Sequence, residues 1–407
     1  MAETKLLGVD EALALVLERA RLLDAPLTLP LAQGLGRTLA APLTAKRTQP
    51  PIDVSAMDGY AVSLAELSTP QAGWRLVGES AAGHGFAGVL QPGECVRIFT
   101  GAPAPPGTDT ILLQEDAIAR DGLIEANAIP ARGRHIRTRG IDFLEGWAAL
   151  AAGTRLGPPQ LALAAAAGCA ELCVARRPRV AILASGDELV EPGEEAGPGQ
   201  IVSCNNLAVA GLVEQAGGEA LYLGIFRDDL ADLQRGLALA RAARADVLVT
   251  LGGASVGDHD LLRPALAGAG MTPGFWRIAM RPGKPLIFGR LGGAFVLGLP
   301  GNPVSSYVCA LLFLTPLLRA LQGDPEAGAD KTEGALLGVD LPANKARRDF
   351  LRAKLSQDAQ GRLVATPQPL QDSSLLTELA QSQALLIREI GAPAGLAGDP
   401  CRILRFG

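Results

Sequence analysis

Hydrophobic and polar positions change their spacing several times along the chain. Leu13, Val16, Leu17 and Ala20 recur at the spacing of one helix face, which predicts a helix near the start. Between residues 46 and 145 the apolar runs are short and are separated by glycine or proline, at 74–78, 95–99, 110–114 and 123–126. This pattern predicts a small β domain inserted after the first helix. The run PPQLALAAAAGCAELCVA at 158–175 predicts a return to helix.

From residue 178 onward, strand and helix patterns alternate. The predicted strands are RVAILA at 179–184, ALYLGIF at 220–226, and the runs at 246–251, 285–288 and 295–299. The predicted helices cover 206–215, 230–243, 261–267 and 303–321. Strands that alternate with helices of this length predict a parallel, doubly wound sheet.

The changes of pattern divide the chain into four predicted regions, which gives a multidomain fold of α/β plus β class. The centre is a doubly wound α/β domain at 178–326. Residues 1–45 and 146–177 form an elongated N-terminal domain, residues 46–145 an inserted β domain, and residues 330–407 a C-terminal domain resembling a β-barrel.

Composition narrows the class of protein. The net charge of -5 carries no block of like charges, which argues against a nucleic-acid surface. The longest apolar stretches, at 161–167 and 308–314, are too short to span a membrane. Charged residues interrupt the apolar pattern of the first helix, which is not typical of a signal peptide. Six scattered cysteines without a CxxC pair indicate reduced thiols. We therefore expect a cytoplasmic protein that binds neither nucleic acid nor membrane.

Four predicted strands of the central domain end in loops of small or acidic residues. In open α/β sheets, ligands bind at the carboxyl ends of the strands. Taken singly, each loop is equally compatible with a helix N-cap. Together they predict a site for a phosphoester or another oxyanion, with these candidates: Ser185, Gly186, Asp187 and Glu188; Asp228; Gly252, Gly253, Ser255, Asp258 and Asp260; Pro300, Gly301, Asn302, Pro303 and Ser305.

Charged residues refine the predicted chemistry. Carboxylates such as Glu188, Asp228, Asp258 and Asp260 suit Mg²⁺ shared with substrate phosphates. The turn Arg281-Pro282-Gly283-Lys284-Pro285 holds two cations between prolines and a glycine, which favours a fixed anion pocket. By spacing alone, Asp58 in a hairpin-like Asp-Gly turn and Thr100 in a loop are equally compatible with structural roles.

Nine motifs in order identify a family: SAMDGYAV, RIFTGAPAP, RGIDF, SGDEL, GIFRDD, GGASVGDHD, MRPGKP, GLPGNPVSS and RRDFLRA. Together they resemble the molybdopterin molybdenumtransferases, which include bacterial MoeA and the E domain of gephyrin. The resemblance runs through essentially the whole chain.

The resemblance implies an enzyme that takes adenylylated molybdopterin, releases AMP and inserts molybdate to give molybdenum cofactor. It implies Mg²⁺ at Asp258 and Asp260. It also implies a homodimer in which Asp58 and Thr100 complete the cleft of the partner subunit. Functionally important positions are matched by Asp58, Thr100, Asp142, Glu188 and Asp228, and positions associated with molybdate by Arg281, Lys284, Pro285, Arg347, Ser373 and Ser374.

Two alternatives remain beside this reading. A molybdopterin adenylyltransferase shares the predicted α/β domain, but it has no counterpart to residues 1–175 or to the C-terminal domain. A scaffold or carrier protein would bind molybdopterin without turnover and would be free to lose the loop acids, which are present here. The adenylyltransferase and the molybdoenzymes that receive the cofactor are expected as transient partners.

Overall fold

A computed structural model describes residues 6–64, 73–128, 130–253 and 261–406. Within these ranges, three six-stranded sheets form the central, inserted and C-terminal parts of the chain. The predicted multidomain α/β plus β class is therefore confirmed.

The central sheet is mixed rather than wholly parallel. In spatial order its strands are Glu219–Phe226, Arg179–Ser185, Val247–Leu251, Ala294–Leu299, Pro285–Leu291 and Thr272–Arg277. Pro285–Leu291 runs antiparallel to both of its neighbours, whereas the other five strands run in one direction, which corrects the prediction of a parallel sheet. The reason is the tight turn at Gly292 and Gly293, since so short a connection joins only antiparallel strands.

Helices cover both faces of the central sheet. Their bounds are Asn205–Gln215, Leu230–Ala242, Leu262–Gly268 and Pro303–Leu321. Alternate residues of Arg179–Ser185 enter separate apolar cores, with Ile182 on one face and Leu183 on the other. The sheet is therefore buried on both sides, as the continuous apolar strands predict.

The helix Pro303–Leu321 has the length and composition of a membrane span, and 61% of its most apolar window is buried. Its residues Ala310–Leu314 form a wider π-helical turn. Phe313 and Leu317 are fully buried in the larger apolar core, so packing within the protein accounts for the apolar sequence.

The first helix, Val9–Glu18, packs on the central domain. Its buried Val9 and Val16 belong to the same apolar core as Leu317. The predicted division placed this helix in the elongated region, and that division stays a prediction.

The N-terminal region predicted to be elongated is built from short elements. The strands Leu27–Pro30 and Glu171–Val174 pair with each other, as do Leu43–Thr44 and Ala148–Leu150, and the helix is Pro158–Ala166. The helix predicted over 158–175 is thus too long. It ends because Gly168 takes a φ of +82°, which terminates the helix before the strand.

The inserted region, predicted to be rich in β structure, contains a six-stranded sheet. Its spatial order is Thr110–Leu113, Gly59–Val62, Glu94–Ile98, Trp74–Ser80, Leu123–Ala126 and Ala117–Arg120. Val54–Ser55 and Ile136–Arg137 form a two-stranded ribbon beside this sheet.

The central domain has a two-stranded ribbon of its own. It consists of Leu189–Val190 and Ile201–Val202 and follows the strand Arg179–Ser185 in sequence.

The C-terminal domain is a closed five-stranded barrel, which confirms the predicted β-barrel-like domain. Around the barrel the strands are Arg348–Gln357, Leu363–Pro367, Glu333–Leu337, Pro400–Arg405 and Ala384–Arg388, and the helix Leu376–Ala380 precedes the last of these in sequence. Met280–Arg281 of the central domain pairs with Arg348–Gln357, so the basic turn joins the two domains.

Candidate functional site

Three of the four predicted loops meet at the carboxyl edge of the central sheet. Gly252 has a φ of +94° and donates its amide hydrogen to the Leu299 carbonyl at 3.2 Å. A Cβ on Gly252 would lie 2.6 Å from the Ser185 carbonyl oxygen, and a Cβ on Gly301 would lie 3.7 Å from the Gly252 Cα. Glycine at 252 therefore permits the close approach of these backbones.

Buried hydroxyl groups at this edge have no hydrogen-bond partner among the residues that the structure describes. Within the described part of the chain, Ser185 Oγ, Thr250 Oγ1 and Ser306 Oγ are buried without a partner. A Cβ on Gly253, whose φ is +61°, would lie 3.5 Å from Ser185 Oγ. Because buried polar groups are normally satisfied, these hydroxyls point to a ligand at the edge.

The acidic candidates Asp187, Glu188 and Asp228 lie together beside these loops. The Asp228 amide donates to Asp187 Oδ1 at 3.4 Å. Burial raises the pKa of Asp228, and the negative charges of Glu188 and Asp187 raise it further. A Cβ on Gly186 would come within 2.6 Å of a Glu188 carboxylate oxygen, so Gly186 leaves room for this side chain.

The predicted metal ligands Asp258 and Asp260, together with Ser255, lie outside the described residues. Among the residues that the structure describes, no group of three or more His, Cys, Asp or Glu side chains is placed to hold a metal ion. The magnesium site therefore stays a prediction.

The loop from Pro300 to Pro303 connects the sheet edge to the barrel. The Asn302 side-chain amide donates to Ser373 Oγ at 3.0 Å, and the Val304 amide donates to the Ser373 carbonyl at 3.0 Å. Asn205 donates to the Gly301 carbonyl at 2.6 Å, while Ser305 is buried in the first turn of the following helix. Two groups of candidates that are far apart in sequence are thereby brought into contact.

The basic turn also lies at the barrel. Arg281 forms an ion pair with the buried Asp349, so part of its charge is neutralised within the fold. Lys284 is exposed and Pro285 begins the strand Pro285–Leu291. Neither Lys284 nor Arg347 forms an ion pair with any residue that the structure describes.

Arg352 is a further candidate that sequence reasoning left out of the site. Its side chain is fully buried, and Nη2 donates to the carbonyls of Leu370 and Asp372 at 2.9 and 3.0 Å. Nε and Nη1 have no partner in the described residues, and burial lowers the pKa of this guanidinium. The available signal was the spacing along the strand. Arg352 follows the buried Phe350 by two residues and so lies on the same face, and an arginine on a buried face needs a partner.

Arg352 holds the segment that carries the serine candidates. Asp372, whose carbonyl accepts from Arg352, also accepts at Oδ1 from the Ser374 amide and hydroxyl at 2.8 and 2.6 Å. Both hydrogen bonds lower the pKa of the Asp372 carboxyl. The Ser373-Ser374 turn is thus fixed between Arg352, on the outer face of its barrel strand, and the Asn302 loop.

Asp58 and Thr100 form a second constellation in the inserted domain. The Thr100 amide and hydroxyl donate to Asp58 Oδ1 at 2.7 and 2.8 Å, and these bonds lower the pKa of Asp58. Asp142 is exposed, and its amide donates to the Gln49 carbonyl at 3.2 Å. The described hydrogen bonds of these three residues lie outside the central sheet edge.

Three family models match consecutive parts of the chain. They are the MoeA N-terminal region (domain I and II) over residues 7–168, a probable molybdopterin binding domain over residues 181–320, and the MoeA C-terminal region (domain IV) over residues 335–406. In order and extent, they span most of the sequence.

Known proteins are similar over nearly the full length. A molybdopterin molybdenumtransferase of Haemophilus influenzae is 34% identical over 402 residues, which covers 98% of this chain and 99% of that protein. Molybdopterin molybdenumtransferase 2 of Mycobacterium tuberculosis is 37% identical over 374 residues, covering 89% and 90% of the two chains. The crystal structure of a molybdopterin biosynthesis MoeA protein from Pyrococcus horikoshii OT3 superposes with a TM-score of 0.85 at 26% identity, covering 99% and 100%. This chain belongs to the MoeA family of molybdopterin molybdenumtransferases.

Proposed function

We propose that this protein is a transferase that inserts molybdenum into molybdopterin during molybdenum cofactor biosynthesis. The names of its full-length relatives support this activity. The observation that carries the proposal is the hydrogen bond between Asn302 and Ser373. It joins the sheet edge, where a phosphate group is expected, to a cluster of hydrogen-bond donors that could hold an anion.

Adenylylated molybdopterin is the proposed substrate, with its phosphate groups at the sheet edge. Gly252 and Gly253 let ligand atoms approach the backbone, and the Ser185 hydroxyl, which has no partner among the described residues, offers a donor. The dipole of the helix that starts at Pro303 adds partial positive charge at this edge, which attracts anions.

Molybdate is the proposed second substrate, held at the junction of the central domain and the barrel. A tetrahedral dianion needs several fixed donors, and charge-assisted hydrogen bonds are the strongest available. The proposed donors share this junction and are Arg281, Lys284, Arg347, Ser373 and Ser374, with Pro285 shaping the turn. We add Arg352, since two of its nitrogens lack partners within the described residues.

Mg²⁺ is proposed to bind at Asp258 and Asp260, and Glu188 and Asp228 are proposed as further carboxylates of the site. The donor set fits a hard cation because it offers only carboxylate oxygens. Burial and the nearby charges of Glu188 and Asp187 raise the pKa of Asp228, and a bound cation would favour its ionised form. When bound, the ion would polarise the pyrophosphate group of the substrate. Asp258→Ala should fold normally yet lose Mg²⁺-dependent turnover, and unchanged turnover would refute the assignment.

A homodimer is proposed in which Asp58 and Thr100 complete the site of the partner subunit. Mixing inactive Asp58→Asn chains with inactive Asp228→Asn chains tests this arrangement. With shared sites, half of the dimers are mixed and each has one intact site, so activity should recover to about a quarter of wild type. No recovery in confirmed mixed dimers would place all of these residues in one subunit's site.

The overall activity is tested by AMP release from adenylylated molybdopterin, followed by chromatography with and without molybdate and Mg²⁺. Release that requires Mg²⁺ and is stimulated by molybdate is expected. Tight pterin binding without release would favour the scaffold or carrier alternative.

We propose that the protein acts in the cytoplasm, without nucleic-acid or membrane partners. Its transient partners would be the molybdopterin adenylyltransferase that supplies the substrate and the molybdoenzymes that accept the product.

A further inference from the structure

An open cleft of about 440 Å³ lies between the end of the first helix and the central sheet. It is lined by Glu18, Arg19, Arg21 and Arg290. Arg19 directly follows the helix Val9–Glu18, and Arg290 belongs to the strand Pro285–Leu291. Three guanidinium groups and one carboxylate leave the lining with two positive charges.

Uncharged groups hold the arginines in place. Arg290 Nη2 donates to the Gly293 carbonyl at 2.8 Å, and its guanidinium lies 4.0 Å from the centre of the Phe295 ring. Arg21 Nη1 donates to two carbonyls of its own turn at 2.6 and 2.8 Å. No ion pair among the described residues involves Arg19, Arg21 or Arg290, so their charges are not neutralised by the described fold.

The like charges also oppose one another. Burial lowers the pKa of Arg290, and the positive charge of Arg19 lowers it further. An anion between them would relieve this repulsion. The planar fork of arginine matches the oxygen spacing of phosphate and can bind it through two parallel hydrogen bonds.

The cleft lies at the opposite end of the sheet from the candidate functional site. Leu291 pairs with Ala294 at the amino end of the strand Ala294–Leu299, whereas Pro300 and Gly301 follow its carboxyl end. A six-residue strand separates the two ends by about 16 Å. One ligand group therefore cannot occupy both places.

We propose that this cleft binds a phosphoryl dianion, as free phosphate or as a phosphate monoester, at a second site of the protein. The two net positive charges of the lining match the charge of that group. The proposal is independent of the molybdenum insertion proposed above.

The test maps protection of individual arginines in the full-length protein. Phenylglyoxal modifies accessible guanidinium groups, and peptide mass spectrometry reports the modification of Arg19 separately. Inorganic phosphate or AMP is added at low ionic strength, where screening is weakest. The measured quantity is the ligand concentration that gives half-protection of Arg19.

Arg290→Gln should raise that concentration about tenfold or more, because it removes charge-assisted hydrogen bonds. Arg263→Gln is the matched control, since Arg263 lies 4.4 Å from the centre of the Trp276 ring in the same domain but outside the cleft lining. It should leave protection unchanged. Arg19→Gln gives the reciprocal measurement, with Arg290 as the residue protected.

The two ligands distinguish the source of the phosphoryl group. Equal protection by phosphate and AMP indicates that the phosphoryl group alone is recognised, and stronger protection by AMP indicates a monoester. Absence of protection of Arg19 by either ligand, or an equal effect of Arg290→Gln and Arg263→Gln, would overturn the proposal.

Discussion

Replacing Gly252 with alanine probes the close packing of the sheet edge. Gly252 has a φ of +94°, and a Cβ there would lie 2.6 Å from the Ser185 carbonyl oxygen. Ser185 ends a central strand and pairs with Phe226 on its other side, so its backbone has little freedom to move away. The substitution therefore combines backbone strain with a steric clash.

The two effects can be separated with Gly270. This glycine has a similar φ of +87°, but a Cβ there meets nothing within 4 Å. An L residue at positive φ costs about 1–2 kcal/mol, which should be the whole loss in Gly270→Ala. Gly252→Ala should add about 1–3 kcal/mol for the overpacked contact, giving about 2–5 kcal/mol in total.

Hydrogen exchange of the strand Val247–Leu251 measures the free energy of opening for both variants in the same element. We expect slower amide exchange in Gly270→Ala than in Gly252→Ala. The difference between their free energies of opening should equal the energy of the steric clash. Equal destabilisation, or a smaller effect at Gly252, would refute the argument that the loops require glycine for close approach.

Three further substitutions test the site. Thr100→Val should raise the pKa of Asp58 partway towards its ordinary value, since the stronger backbone hydrogen bond remains. Because the pKa of Asp58 is lowered in the folded state, the stabilising effect of its ionised carboxylate should be lost as the pH falls through that pKa. Carbon-13 NMR titration of Asp58 measures the shift, and an unchanged pKa would exclude a role for the hydroxyl. Arg352→Lys should raise the molybdate concentration for half-maximal turnover about tenfold, by loss of its guanidinium donors; an unchanged requirement with normal stability would remove Arg352 from the site. Lys284→Ala should raise the molybdate requirement more than it weakens pterin binding, as titrations of each substrate would show, and equal losses would instead assign Lys284 to the pterin phosphate.

Much of the central domain could be predicted because its signals are local. The strands Arg179–Ser185 and Val247–Leu251 are continuous apolar runs bounded by turns, and Asp229 is a typical N-cap that accepts from the Asp232 amide at 2.9 Å. The predicted and observed bounds of these strands differ by only a few residues.

The errors occurred where tertiary context decides. Thr272–Arg277 contains Pro273 and Gly274, which disfavour a strand, yet it pairs at the sheet edge where proline is tolerated. Glu171–Val174 continued an apolar pattern without a change of period, and only its pairing with Leu27–Pro30 makes it a strand. Propensity alone contains no information on such pairing.

The loops that form the site could be predicted from the sequence, but the long-range contacts between their side chains could not. Strand-end chemistry indicated Ser185, Gly252 and Pro300, which the structure brings to one edge. The hydrogen bond from Asn302 to Ser373 joins residues 71 positions apart, and the burial of Arg352 depends on its contacts with the distant Leu370 and Asp372. Neither follows from local spacing.

The most direct test of molybdenum insertion is the metal content of the reaction product. The purified protein would be incubated with adenylylated molybdopterin, molybdate and Mg²⁺, and molybdenum and pterin would then be quantified in the product. Our account predicts about one molybdenum per pterin in the wild-type reaction and a large decrease with Lys284→Ala at limiting molybdate. A product that holds pterin but no molybdenum, from protein that binds both substrates, would contradict it.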